Sequence, residues 1–262
     1  MKISNENHYI IKLKKLFKMN YKLVMPSFLV LGTQKGGTTT LHKLLKQDNR
    51  IFLPECKEVH YFSIYFNKGT KWYSSNFKDS TSSQLCGEIT PYYLFHPDSA
   101  IRIKKILPKV KLIVLLRDPV ERALSQYFHA KRNGFESLQI EAALDAEQER
   151  ILTGGAYSHQ KHSYVSRGYY LDQLDRYEKK FPQDNLLILK SEDLFIEPRN
   201  IWNKIQDFLK LSRSELPNQI IHANSGAGES KNIHASIKMR LRKEFKTTVL
   251  GVRKRYGFDW GW

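Results

Sequence analysis

Two short stretches of this chain gather the residue types that hold oxyanions. The first, Gly32-Thr33-Gln34-Lys35-Gly36-Gly37-Thr38-Thr39-Thr40, sets glycines, a lysine and hydroxyls between a short apolar run and a helical pattern. Consecutive glycines let the backbone turn tightly and aim N–H groups at an anion, and a helix N-terminus adds partial positive charge. Gly32 and Gly37 have the separation of a Walker A loop, but Thr38 stands where its lysine belongs, and the lysine lies inside the loop at Lys35. ATPases and kinases use that lysine and the hydroxyl beside it on terminal phosphates and magnesium. The displaced lysine therefore points to a different anion and weakens the case for a metal. A glycine-rich turn with no ligand is the plainer alternative, and the flanking strand and helix count against it.

The second stretch is Arg117-Asp118-Pro119-Val120-Glu121-Arg122-Ala123-Leu124-Ser125. Arg117 leaves the carboxyl end of an apolar run, the end at which open α/β sheets bind ligands. Ser125, two helical turns further on, could reach the oxyanion that Arg117 pairs with. Taken singly, Arg117 with Asp118 reads as a loop salt bridge and Ser125 as a solvated position. Together with the Lys35 loop they suggest two separate anionic groups on one ligand. The histidines show no metal-ligand spacing, so no metal is expected.

The elements that must position these residues alternate. Phe28 to Leu31 reads as a buried strand and is followed by a helix through Leu41, Leu44 and Leu45. The hydroxyls of Thr38 to Thr40 are expected to satisfy the helix's first N–H groups. Val110 to Leu116 predicts a second buried strand, followed by a helix with Pro119 in its first turn. Leu186 to Leu189 predicts a third strand, between helices over about Tyr170 to Phe181 and Ile201 to Leu209. Residues 51–66 and 84–95 read as short strands and loops, residues 136–152 as an acidic surface helix, and residues 235–250 as a basic helix. Strands alternating with helices indicate an α/β fold with a central parallel sheet covered on both faces.

Charge narrows the partner. The 262 residues carry 43 Lys plus Arg against 26 Asp plus Glu, a formal +17, with 41% hydrophobic residues, a globular composition. Residues 1–25 hold six lysines and one glutamate, and residues 231–262 hold nine basic and two acidic side chains. The body between is nearly balanced, which argues against a general nucleic-acid coat. Lysines interrupt the apolar N-terminal run, so no segment is expected to span a bilayer and no signal peptide is read there. Ile10, Leu13 and Phe17 share one helical face, which permits peripheral membrane association, though a packed or frayed terminal helix is the plainer reading. Two cysteines, Cys56 and Cys86, fit a reducing, cytoplasmic setting. Cys56 reads as a small packing residue.

The chain resembles the sulfotransferases that use 3′-phosphoadenosine 5′-phosphosulfate (PAPS), in particular the branch of heparan sulfate enzymes and their bacterial relatives. Gln34-Lys35-Gly36-Gly37-Thr38-Thr39 is similar to the loop that holds the 5′-phosphosulfate. Arg117-Asp118-Pro119 through Arg122 and Ser125 is similar to the element that holds the 3′-phosphate. Lys57-Glu58-Val59-His60-Tyr61-Phe62 looks like the segment that supplies the base, and Gly257-Phe258-Asp259-Trp260 like the end of the same fold. The resemblance implies a P-loop-like three-layer fold, with residues 1–25 a basic arm and residues 26–262 one catalytic domain. It implies PAPS as sulfate donor, held by Lys35, Gly36, Gly37, Thr38, Thr39, Thr40, Arg117, Ser125 and, closing from a loop, Lys231.

It further implies sulfuryl transfer to a hydroxyl, or secondarily an amine, of a carbohydrate-containing acceptor. Lys35 would steady charge on the departing phosphate and Glu58 would take the proton, with His60 as rival base or as its orienting partner. Tyr92, Tyr164 and Arg167 are candidates to line the acceptor site, since aromatic faces suit sugars and arginine suits acidic groups, but a half-buried structural position is the plainer reading. Departures matter here: Ser63 stands where the branch commonly has aspartate, and Ile89 where it has lysine. Acceptor identity therefore does not carry over. A small-molecule or lipid-like hydroxyl is the nearest rival acceptor, and a P-loop phosphotransferase or a basic polyanion-binding protein would be the reading from another class.

Overall fold

The computed structural model describes residues 23–217 and 232–262. Most of the basic arm, and Lys231, lie outside the described residues. Strand β1 (Phe28–Gly32) leads through the glycine loop into helix α1 (Thr38–Lys46). Then follow β2 (Ile51–Phe52), α2 (Gly69–Ser75), β3 (Leu85–Ile89), α3 (Tyr92–Phe95), α4 (Ser99–Ile106) and β4 (Lys111–Leu116). Helices α5 (Pro119–Arg132), α6 (Ile140–Thr153), α7 (Gly155–Lys161) and α8 (Tyr170–Glu178) precede β5 (Leu186–Lys190). The described chain ends with α9 (Asp193–Ile196), α10 (Pro198–Leu209) and α11 (Ala235–Tyr256).

The five strands form one sheet in the order β2-β3-β1-β4-β5, and every pairing is parallel. Alternation sends the two sides of each strand into different cores. Leu29 and Leu31 of β1 with Leu112, Val114 and Leu116 of β4 pack on α4 and α8 through Ala100, Ile103, Leu174 and Tyr177. Phe28, Val30, Ile113 and Leu115 face the other way, against Leu41, Leu44 and Leu45 of α1 and Ile201, Trp202 and Ile205 of α10. These side chains are essentially inaccessible to solvent, and each contributes about 1.5 to 3 kcal/mol of burial. A third cluster joins α5, α6 and α11 through Leu124, Tyr127, Leu144, Leu241 and Phe245.

The strands and helices expected around the two anion-binding stretches are present within a few residues of their predicted ends. Some local expectations are corrected. Helix α1 is capped by Gly37 in a left-handed conformation (φ 84°), with no side-chain hydrogen bond to its first N–H groups, so the threonines do not serve as its cap. Cys56 is exposed and does not pack; Cys86 is buried. The acidic helix is less superficial than its composition predicts. Glu147 is buried and accepts hydrogen bonds from the N–H groups of Val165 and Ser166, and buried Glu136 pairs with Arg150 at 2.6 Å.

Candidate active site

Three adjacent strands end on one side of the sheet, and each delivers one part of the site. From β1 the chain crosses to β2 at one edge, whereas from β4 it passes to β5 at the other, so the β1/β4 boundary is the topological switch point. Their register shifts between Val30 and Gly32, where the glycine loop departs. The loop then folds back on β4: the Thr33 N–H and hydroxyl both donate to the Leu115 carbonyl, at 2.8 and 3.0 Å. A side chain at Gly36 would put its Cβ 2.5 Å from Thr33 Oγ1 and 2.9 Å from the Leu115 carbonyl oxygen, so this turn admits glycine alone. Ser191, just beyond β5, donates to the Gly36 carbonyl at 2.9 Å and fixes the loop from below.

The loop surrounds an anion-sized need. The first turn of α1 holds no acidic residue and its N–H groups lack a side-chain cap. Arg117 donates from Nη1 to the Lys35 carbonyl at 2.9 Å, tying the loop after β1 to the end of β4. Burial pulls the Lys35 ammonium down to about 8, and the positive charges of Arg132, Arg117 and Lys57 push the same way, with only Glu58 opposing. A half-buried lysine crowded by three cations, with one carboxylate opposing them, favours a further negative charge beside it. The glycine cradle, the uncapped helix end and this excess of cations fit the phosphosulfate of PAPS.

Asp118 caps α5, accepting from the N–H groups of Val120 (2.7 Å) and Glu121 (3.3 Å), and its other oxygen accepts from the Trp262 indole at 2.7 Å. Its own N–H donates to Glu192, which also accepts from Trp260. The two terminal tryptophans thereby pin the Arg117 turn. Ser125 lies partly exposed on α5. Buried Arg122 donates to the Tyr164 carbonyl and holds up this helix from behind.

The third part comes over the end of β3, where the Glu58 N–H donates to the Ile89 carbonyl at 3.2 Å. Glu58 and His60 do not occupy alternate faces of a strand: both adopt left-handed backbone, with φ of 70° and 58°. Lys35 does too, at 69°, so three of the four non-glycine residues with positive φ among those described are the three candidate catalytic residues. Such conformations cost about 1 to 3 kcal/mol each and concentrate at functional sites. His60 Nε2 lies 3.3 Å from Glu58 Oε2 and its Nδ1 3.2 Å from Ser63 Oγ, while Lys57 Nζ lies 3.2 Å from Glu58 Oε1. Burial raises the Glu58 carboxyl, but the His60 hydrogen bond and the Lys57 charge outweigh it and hold the group below its ordinary value. Glu58 is thus a carboxylate at neutral pH.

Beneath this segment sits Glu88, fully buried, accepting hydroxyl hydrogen bonds from Tyr73, Thr90 (2.7 Å) and Tyr93 (2.6 Å). Thr90 in turn accepts from the His60 N–H at 3.4 Å, so the buried carboxyl braces the backbone that carries Glu58 and His60. The acceptor candidates are buried, as the structural alternative for them has it. Tyr164 is wholly buried with its hydroxyl on Glu136 at 2.8 Å, and Arg167 is buried with its guanidinium on Gln34, Ser163 and the Gln160 carbonyl. Arg167 holds the glycine loop through Gln34 and lies over the Tyr92 ring, 4.9 Å from its centroid. Tyr92 lies beside the base segment, edge-on to His60 with ring centroids 6.0 Å apart; its hydroxyl meets His159 Nδ1 at 2.6 Å.

Sequence reading overlooked His129 and Arg132. They fall four and seven residues after Ser125 on α5, the spacing of one helical face. Burial lowers the His129 imidazole, aided by Lys35 and Arg132 and opposed by Glu58, which places it in the same electrostatic neighbourhood. The i, i+4, i+7 spacing was the available signal. Ser191 gave none, since its role depends on two strands meeting.

A parallel sheet with a glycine loop after its central strand and a cluster of cations at the switch point defines a P-loop-like fold. The family model of the sulfotransferase domain matches residues 25–261, and the chain belongs to that family, whose members draw on PAPS. The membrane-associated sulfotransferase kil1 of Dictyostelium discoideum is 26% identical, across 92% of this chain and 67% of its own length. Human heparan sulfate glucosamine 3-O-sulfotransferase 6 is 31% identical, across 72% of this chain and 53% of its own length. A sulfotransferase structure from Alicyclobacillus acidocaldarius superposes with a TM-score of 0.78 at 25% identity, covering 90% of this chain and 97% of that one. The chain spans about half the length of the heparan sulfate 3-O-sulfotransferases it matches.

Proposed function

We propose that this protein transfers the sulfuryl group of PAPS to a hydroxyl of a carbohydrate-containing acceptor. The observation that carries the proposal is the convergence of two segments at the carboxyl ends of neighbouring strands: the Lys35 loop, tied to the end of β4 by Arg117, and the Glu58 segment, held on the end of β3, with the Glu58 charge close enough to act on Lys35. PAPS, when bound, supplies an activated sulfuryl group and a phosphate leaving group. The α1 N-terminus and the N–H groups of Gly37 to Thr39 would hold its 5′ end, the Gly36 N–H being spent on the Thr33 carbonyl at 3.0 Å, and Lys35 would gain most as charge builds on the leaving oxygen. Arg117 and Ser125 would hold the 3′-phosphate. Glu58, already ionised, takes the acceptor's proton; His60 orients that carboxylate, itself held by Ser63.

The carbohydrate acceptor is supported by the heparan sulfate 3-O-sulfotransferase among the relatives. Incubating the protein with PAPS carrying radioactive sulfate and separate panels of sugars, glycolipids and phenols tests it. Label on a sugar hydroxyl is the expected result. Label confined to phenols or lipid-like alcohols would move the acceptor to the rival class.

A further inference from the structure

Helix α11 presents an unusual outer face. It runs 22 residues from Ala235 to Tyr256, about 33 Å at 1.5 Å per residue. Ile237, Leu241, Phe245, Thr248, Val249 and Val252 are buried on its inner side. At about 100° per residue, Met239, Leu250, Lys246, Lys243, Arg253, Lys254 and Arg242 all fall within an outward sector of roughly 120°. Five of the seven are cations and none is acidic; the nearest acid on the helix, Glu244, lies at the flank and accepts from the Tyr169 hydroxyl. Arg253 pairs with Asp259 at 3.0 Å and Arg242 sits over the Trp262 ring, 5.6 Å from its centroid. Among the described residues, no carboxylate lies within ion-pair reach of Lys243, Lys246 or Lys254.

The centre of this cationic sector is apolar. Met239 is 64% and Leu250 54% exposed, one near each end of the stripe. A polyanion that pairs with the lysines would leave these two side chains in water. A membrane surface covers both, because the anionic headgroups meet the lysines while the apolar chains enter the acyl boundary. No described helix is long and apolar enough to cross a membrane, so the contact would lie along the surface.

We propose that the outer face of α11 docks this protein on a membrane surface bearing anionic lipid. Lys243, Lys246 and Lys254 supply the charge, and Met239 and Leu250 the insertion. The orientation lays the helix flat, and none of Lys35, Glu58 and Arg117 belongs to the face that docks.

The test is co-sedimentation of the full chain with phosphatidylcholine vesicles, with and without phosphatidylserine, alongside soluble heparin as a competing polyanion. The wild-type protein is expected to bind only the phosphatidylserine vesicles, and less so as salt rises. Combined Lys243→Glu, Lys246→Glu and Lys254→Glu should weaken binding about a hundredfold or more, at about 1 kcal/mol per basic residue. Combined Met239→Ser and Leu250→Ser should weaken it severalfold at unchanged charge. Both variants alter exposed side chains, and unchanged binding of 3′-phosphoadenosine 5′-phosphate (PAP) would verify their fold. Vesicle binding that survives in both variants would overturn the proposal, as would heparin binding lost in the lysine variant with no vesicle binding by wild type.

Discussion

Lys35 is the residue on which donor binding turns. Its ammonium is pulled down to about 8, first by burial and then by Arg132, Arg117 and Lys57. A bound phosphosulfate restores favourable charge around it, so binding raises its pKa and takes up protons. Donor affinity is therefore expected to fall as pH rises through about 8, where the free protein loses this charge, and calorimetry of PAP across that range would read the slope. Lys35→Ala should abolish that pH dependence and reduce turnover by about a hundred- to a thousandfold, as loss of a transition-state charge partner does. Arg117→Ala removes a guanidinium that also holds the Lys35 carbonyl; PAP should bind roughly 10 to 100 times more weakly, with a smaller effect on turnover.

At the scale of elements, the site depends on turns that the neighbouring strands and termini hold in place. Asp118 caps α5 and accepts from Trp262, so Asp118→Ala should cost about 1 to 2 kcal/mol, read as a lowered midpoint in urea, and should loosen Arg117 with it. Much of this scale was legible in the sequence. The strands at Phe28 and Val110 follow from unbroken apolar runs, the glycine loop from its residue types, and the helices from apolar spacing of period 3.6 and from Pro119 in the first turn. The base segment was legible only by resemblance, because its backbone turns left-handed at Glu58 and His60, which no periodicity encodes. For Tyr164 and Arg167 the sequence favoured a structural position over an acceptor-lining one, and what it did not show was the partners that burial requires, Glu136, Ser163 and the Gln160 carbonyl.

For the whole molecule, the charge distribution separates two tasks. The sheet and its loops bind a nucleotide with a handful of cations, while much of the formal +17 sits near the chain's two ends. In the glycine loop Lys35 stands forward of the Walker position and Thr38 takes its place, so the pocket is built to meet the donor with protein cations. Sulfuryl transfer is accordingly expected to proceed unchanged after dialysis against EDTA, measured with the same labelled donor.

The central claim is that Glu58 accepts the proton while the Lys35 loop holds the donor. It is tested most directly by following radioactive sulfate from PAPS to a sugar acceptor with wild-type protein and Glu58→Gln side by side, with PAP binding measured for both. The account predicts equal PAP affinity and a loss of transfer of about a hundred- to ten-thousandfold in the variant. Undiminished transfer by Glu58→Gln, or a wild-type protein that binds no PAP, would contradict it.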